Sequence, residues 1–315
     1  MQSFDKATII SKSPPRNCIC EKEITKNECI CIDDPDFNDL KDYNLDTNRH
    51  EASVAGILPH PGLHLFVSVQ SPIAIEHERS RKHDHFDPLE FHGHWDNVGT
   101  ATFTNTGTTA QVRTQRDTLP TLMGGPLHNE YYFEQLHFHW SEDDESGCEH
   151  IFEGRAYSME AHAVHYNSKY GSFAEAADKP DGLAVVAFFL QALDDNDNSE
   201  FRKLSDYIPN ILKISSTTDV PADCMAWFEP QAHCKGYYTY QGSLTTEPYT
   251  ENVTWIIYPN PITVSAEQVS IFRKLQSCHR CEKKTIKKNI RPIQQNEKDN
   301  HEIIFARAHK PIITA

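Results

Sequence analysis

Two stretches in the middle of the chain alternate polar and apolar residues with the period of a β-strand. They are Gln135-Leu136-His137-Phe138-His139-Trp140 and Ser158-Met159-Glu160-Ala161-His162-Ala163-Val164. Residues two apart on a strand share a face, so Gln135, His137 and His139 point one way, and Glu160 and His162 do the same on the second run. Residues 183–193 are almost continuously apolar, the pattern of a strand buried on both faces. From residue 68 onward, short strand-like runs separated by turn residues predict a mainly β domain. Helical signals are few. Ser172-Phe173-Ala174-Glu175-Ala176-Ala177 ahead of Pro180 predicts a short helix, and residues 200–211 carry helical spacing with Pro209 as the stop. Asp194-Asp195-Asn196-Asp197-Asn198 reads as a solvated loop. Residues 1–67 hold no period, and the acidic, proline-interrupted Asp33-Asp34-Pro35-Asp36-Phe37-Asn38-Asp39 predicts a poorly ordered extension. The expected division is therefore 1–67, a divergent N-terminal extension, and 68–315, a folded domain.

At 315 residues and 38% hydrophobic content, the chain can bury a sizeable core. Its net charge of −15 argues against nucleic acid as a partner, because phosphate backbones reward clustered cations. No run approaches the roughly eighteen apolar residues of a membrane span, and the first residues contain no secretory apolar core. Nine cysteines form no disulfide-framework spacing, which points to a reducing compartment, the cytoplasm. Cys18-x-Cys20, Cys29-x-Cys31 and Cys278-x-x-Cys281 can each pair or chelate. For Cys278 and Cys281 a reduced surface loop is expected, since no thioredoxin-like βαβ pattern surrounds them. His92-Gly93-His94 repeats the i, i+2 spacing without an orienting partner and is expected at the surface.

A lone His-x-His on a strand is ordinarily a surface or core pair. Here His162 offers a third imidazole if its strand pairs beside the first. Gln135 and Glu160 each sit two residues before a histidine, on its face. Metal-bound imidazoles need an acceptor on the far ring nitrogen, and these side chains supply one. Three neutral imidazoles with an open fourth position are a standard shell for catalytic zinc.

These residues lie within a wider set of motifs. They include Gln70-Ser71-Pro72-Ile73, Gly124-Gly125-Pro126-Leu127, Cys148-Glu149-His150, Glu160-Ala161-His162-Ala163-Val164-His165-Tyr166-Asn167 and Pro180-Asp181-Gly182-Leu183-Ala184-Val185. Gly242-Ser243-Leu244-Thr245-Thr246, Val253-Thr254-Trp255 and Arg291-Pro292 follow in order. Together they resemble the α-class carbonic anhydrases of animals, over roughly residues 68–310. The resemblance implies a large twisted, mostly antiparallel sheet with short peripheral helices and a conical cleft with Zn²⁺ at its floor. It implies the reversible hydration of carbon dioxide to bicarbonate, inhibition by sulfonamides and anions, and a monomer.

The resemblance also assigns roles. His137, His139 and His162 hold the metal. Gln135, Glu160 and the backbone carbonyl of Asn289 accept from their far nitrogens. Thr245 and Glu149 orient the attacking solvent oxygen. Val164, Val185, Leu244 and Trp255 form the apolar substrate wall, with Thr246 beside it and Leu183 and Val253 nearby. Four departures stand out. Thr108 occupies the position of the proton-relay histidine and cannot titrate near neutrality. Glu247 replaces a proline. Tyr249 stands where secreted members carry a cysteine. The usual Trp- and Tyr-rich opening segment is missing. Two alternatives follow: a catalytically silent relative acting as a binding module, and a zinc hydrolase acting on esters.

Overall fold

The computed structural model describes residues 68–83, 86–194, 196–234, 236–277, 284–294 and 301–307, which belong to the unit Phe66–Ala315. Residues 1–67, with Cys18, Cys20, Cys29 and Cys31, lie outside the described residues, as do Cys278 and Cys281.

The strands in chain order begin with β1 (Ala74–Ile75), β2 (Arg81–His83), β3 (Asp87–His92), β4 (Thr100–Asn105) and β5 (Ala110–Gln115). Next come β6 (Thr121–Gly125), β7 (Tyr131–Trp140), β8 (Ile151–Phe152), β9 (Met159–Asn167) and β10 (Leu183–Ala192). The last are β11 (Thr217–Val220), β12 (Gly236–Gly242), β13 (Val253–Val264) and β14 (Ile304–Arg307). Twelve of them form one sheet, whose main path runs β11-β4-β5-β7-β9-β10-β13-β12-β14-β2, with β3 and β6 attached beside β7. Pairing in that sheet is antiparallel except at β10–β13 and β14–β2. The expected mainly β class, with one large, mostly antiparallel sheet, is what the chain forms. The small β1–β8 sheet is parallel.

The helices are short: α1 (Phe173–Ala176), α2 (Arg202–Ser205), α3 (Glu229–Ala232) and α4 (Ala266–Ser270). α1 forms where expected, capped by the Ser172 hydroxyl accepting from the Glu175 amide. The single helix expected over residues 200–211 is instead two pieces. α2 ends at Ser205, and a 3-10 turn, Ile208–Ile211, follows. Pro209 sits in the first turn of that second piece rather than stopping the first. Proline lacks only an amide that a helix start leaves unpaired anyway.

The sheet is coated on both faces. One face carries Leu136, Phe138, Trp140, Ala161, Ala163, Val186 and Phe188 into the larger core, closed by Phe201, Trp227, Phe228 and Phe272. The other carries Val164, Val185, Ala187, Phe189 and Trp255 into a second cluster. β10 is buried along nearly its whole length because it belongs to both. His94 corrects its expectation. It is fully buried, with Nε2 2.9 Å from Nε2 of His165, against Phe91, Trp95 and Phe133. Only the tertiary fold brings an imidazole acceptor to it; His92 stays exposed. Among the described residues, no helix is long and apolar enough to cross a membrane.

Candidate metal centre

The strand register builds the site. His137 on β7 lies directly across from His162 on β9, while His139 lies across from Glu160. Because His162 and Glu160 share a face, the three imidazoles form a triangle with the carboxylate at one corner. The next residue in the His137 row is Ala187 on β10, small enough to leave the space open. Ring centroids lie 5.0 Å apart for His137–His139, 5.2 Å for His137–His162 and 4.5 Å for His139–His162. One ligand atom from each of the three lies within 4.8 Å of the others.

Hydrogen bonding decides which nitrogens are free. His139 Nδ1 is 2.8 Å from the Asn289 carbonyl oxygen, which only accepts, so the proton sits on Nδ1 and Nε2 is bare. His137 Nδ1 donates to Gln135 Oε1 at 2.9 Å, which bares its Nε2 as well. His162 Nε2 donates to Glu160 Oε1 at 2.8 Å and leaves Nδ1 bare. The two bare Nε2 atoms of His137 and His139 lie 3.1 Å apart. Lone pairs at that distance repel unless a cation lies between them. A tetrahedral zinc with Zn–N bonds of about 2.0–2.1 Å holds its nitrogens about 3.3 Å apart. The donor set therefore fits zinc in kind, and the His137–His139 pair fits it in spacing. Burial, reinforced by the neighbouring imidazoles, holds His137 well below the usual histidine range and lowers His162 from it, which favours the neutral form of both rings.

Glu160 anchors the cluster. Burial pushes its carboxyl up, but His150 and His162 outweigh that and hold it well below the usual range. Oε1 accepts from His150 Nδ1 (2.6 Å) and His162 Nε2 (2.8 Å). Oε2 accepts from the backbone amides of Glu149 and His150, both at 2.8 Å. One carboxylate thus sets both the tautomer of His162 and the position of Glu149. The network continues from His150 Nε2 to Tyr240 Oη at 2.7 Å, and that phenol donates to Ser71 Oγ at 2.8 Å. His150, Tyr240 and Ser71 were not foreseen as site residues. Their only sequence signal is that His150 follows Glu149 and Ser71 lies in a recognised motif.

Glu149 is buried beside the triangle. Its Oε1 accepts from the Arg291 amide at 2.7 Å and lies 3.3 Å from His139 Nδ1. Its Oε2 lies 3.9 Å from the bare His162 Nδ1 and has no hydrogen-bond partner among the described residues. Asn289 ties three segments together: Nδ2 donates to the Thr108 and Phe138 carbonyls at 2.9 and 2.8 Å, and Oδ1 accepts from the Trp140 amide at 2.8 Å. Thr108 is exposed and its carbonyl is thereby linked, through Asn289, to the His139 imidazole.

The apolar wall forms a second row. Gln135, Val164, Val185, Trp255 and Tyr240 are lateral neighbours across five strands. Val164, Leu183, Val185, Val253 and Trp255 are buried in one cluster, with Leu244 packed against it. The Trp255 ring meets His162 edge-on at 4.8 Å, and its Nε1 donates to the Ser243 carbonyl at 3.0 Å. That bond pins the segment bearing Leu244, buried Thr245 and exposed Thr246 to β13. Gly242 permits the approach, since a Cβ there would lie 2.2 Å from Ser71 Oγ and 2.9 Å from the Trp255 ring.

A sheet that gathers three bare imidazole nitrogens beside a buried carboxylate and a row of apolar side chains forms a cluster able to hold a single metal ion. Residues 67–303 match the model of the eukaryotic-type carbonic anhydrase family, and the chain belongs to that family. It is 38% identical over 213 residues to carbonic anhydrase 3 of Sus scrofa, covering 66% of this chain and 78% of that protein. It is 38% identical over 231 residues to the mitochondrial carbonic anhydrase 5A of Homo sapiens, covering 71% and 73%. Identity to carbonic anhydrase 1 of Monodelphis domestica is 41% over 169 residues, which is 53% of this chain and 63% of that protein. The chain thus spans less than two thirds of that last relative.

Proposed function

We propose that the protein catalyses the reversible hydration of carbon dioxide to bicarbonate and a proton, with Zn²⁺ held by His137, His139 and His162. The observation that carries this reading is the convergence of three deprotonated imidazole nitrogens, two of them 3.1 Å apart. Zinc bound there supplies the Lewis acidity that brings deprotonation of a water into the neutral range, a property for which carbonic anhydrases are the standard example.

The chain's own residues do the rest. Gln135, the Asn289 carbonyl and Glu160 keep each imidazole proton on the nitrogen facing away from the metal. Thr245 is assigned to donate its hydroxyl proton to Glu149, turning a Thr245 lone pair toward the attacking solvent oxygen and aiming that oxygen at the substrate; Glu149 Oε2, with no partner among the described residues, has the capacity to take that bond. Carbon dioxide is apolar and offers few hydrogen-bonding handles, so Val164, Val185, Leu244 and Trp255 receive it by excluding water, with Thr246 at the edge. Thr108 cannot carry a proton at neutral pH, so export of the product proton limits turnover, and imidazole buffers raise the rate. We take residues 68–315 as the catalytic domain, 1–67 as an extension to it, and the protein as a monomer inhibited by sulfonamides and anions. We place it in the cytoplasm; the free thiols of Cys148, Cys224 and Cys234 accord with a reducing compartment, and cell fractionation tests the location.

The decisive experiment pairs metal analysis with stopped-flow carbon dioxide hydration on the wild type and His162→Ala. About one zinc per chain, hydration blocked by a sulfonamide, and loss of both metal and hydration in His162→Ala are expected. A zinc-loaded wild type without hydration makes the chain a binding protein instead.

A further inference from the structure

Tyr249 stands just beyond Thr245 and Thr246, half-buried, and belongs to neither the imidazole triangle nor the apolar row. Its surroundings give it one. Tyr249 adopts φ = +58°, a left-handed conformation that non-glycine residues seldom hold unless neighbours enforce it. Its amide donates to the Thr246 carbonyl at 2.9 Å, closing a turn, and the Leu244 amide donates to the Thr250 carbonyl at 3.0 Å, closing the base of the loop. Thr245 and Thr246 ride on that loop.

Two contacts hold Tyr249 from outside. The Arg291 guanidinium lies over its ring, with Cζ 3.8 Å from the centroid. Gln70 Nε2 donates to its carbonyl at 3.1 Å. Arg291 is itself fixed: Nη1 donates to Gln70 Oε1 at 2.9 Å and to the Ser71 carbonyl at 2.7 Å. The backbone amide of the same Arg291 is the donor to Glu149 Oε1. A single residue therefore grips the carboxylate with its backbone and, with its side chain, the loop that carries Thr245.

We propose that Tyr249, stacked under Arg291 and tied to Gln70, is a positioning residue that sets the Thr245–Thr246 loop against Glu149. This rests on the reading of Thr245 and Glu149 given above. The ring provides the platform, since a flat π-face attracts the guanidinium. The strained backbone means that without the stack the loop relaxes away from this geometry, and small misplacements of reacting groups are costly in rate.

The test compares Tyr249→Phe, Tyr249→Ala and Tyr249→Gly in the full-length, zinc-loaded protein. Tyr249→Phe keeps the ring and retains wild-type kcat/KM. Tyr249→Ala loses about tenfold in kcat/KM, carried mainly by kcat, and weakens sulfonamide binding measured by calorimetry by a similar factor. Zinc content stays at the wild-type level, because no metal-holding group contacts this residue. Tyr249→Gly holds φ = +58° without strain, so the loop is driven less from this geometry and part of the loss seen in Tyr249→Ala is recovered. Full kcat/KM and inhibitor affinity in Tyr249→Ala overturn the proposal, as does a Tyr249→Phe variant as impaired as Tyr249→Ala. A lowered melting temperature with unchanged kcat and inhibitor affinity makes the stack merely structural and overturns it too. A wild type that binds zinc but hydrates nothing defeats the functional reading instead, and the two failures are told apart by that control.

Discussion

Replacing Glu160 by glutamine tests the site at its most connected point. The carboxylate accepts four hydrogen bonds, two on each oxygen. Glutamine fills the same volume with one oxygen and one NH₂ group, so one pair of donors must meet another donor. If NH₂ takes the Oε2 position, it faces the amides of Glu149 and His150, which cannot change protonation, and Glu149 is displaced. If it takes the Oε1 position, His162 can respond only by moving its proton from Nε2 to Nδ1. That puts a hydrogen on Nδ1, the nitrogen proposed to hold the metal. Either outcome weakens the site. Losing the partner of a metal-bound histidine costs about 10–100-fold in metal affinity, a range to which carbonic anhydrases themselves contributed. Each charge-assisted bond lost from a buried carboxylate costs a further ~1.5–3 kcal/mol of folding stability. Competition against a chelator gives the zinc dissociation constant, and thermal unfolding with and without zinc gives the stability. We expect zinc to bind about tenfold to a hundredfold more weakly, with a lower melting temperature in both forms. Zinc affinity within about twofold of wild type, well short of the expected loss, refutes the argument that Glu160 fixes the ligand tautomer.

Burial drives His165 from the ordinary histidine range to about 3, so it stays neutral in the folded chain down to acid pH. Unfolding then takes up a proton between pH 6.5 and about 3, and its stability contribution, complete above that window, falls by ~1.4 kcal/mol per pH unit as pH drops through it. Denaturant midpoints from pH 6.5 to 4 check this, and His165→Gln should flatten the slope by about one proton's worth. Asn289→Ala leaves the Trp140 amide without its side-chain acceptor and should cost about 1–3 kcal/mol of stability by urea titration, with weaker zinc binding because the His139 acceptor loosens. Thr108→His should raise kcat in weak buffer and abolish the gain from added imidazole, measured by stopped flow. Val185→Phe should fill the wall beside Trp255 and lower kcat/KM for carbon dioxide while leaving zinc content unchanged.

Much of the candidate site was readable before any fold was known. The i, i+2 spacing of His137 and His139 and the placement of Gln135 and Glu160 follow from strand period alone. The double-sided burial of β10 was legible in its unbroken apolar run. Residues 200–211 misled because helical spacing does not reveal where a helix breaks, and tertiary packing made two pieces of them. His94 misled for a similar reason. A buried histidine is distinguished from an exposed one only by its acceptor, here His165, seventy-one positions later in the chain.

The local chemistry of this protein, meaning which side chains share a face and which can ligate, was determined by sequence, because alternation in a strand is a property of neighbouring residues. The register was not. Placing His137 opposite His162, aligning Val164, Val185 and Trp255 in one row, and bringing Asn289 and Arg291 to His139 and Glu149 required pairing between distant segments. A slip of one residue would turn every side chain of a strand to the other face. That register is held by the two cores on either side of the sheet, and those exist only once the whole domain has folded.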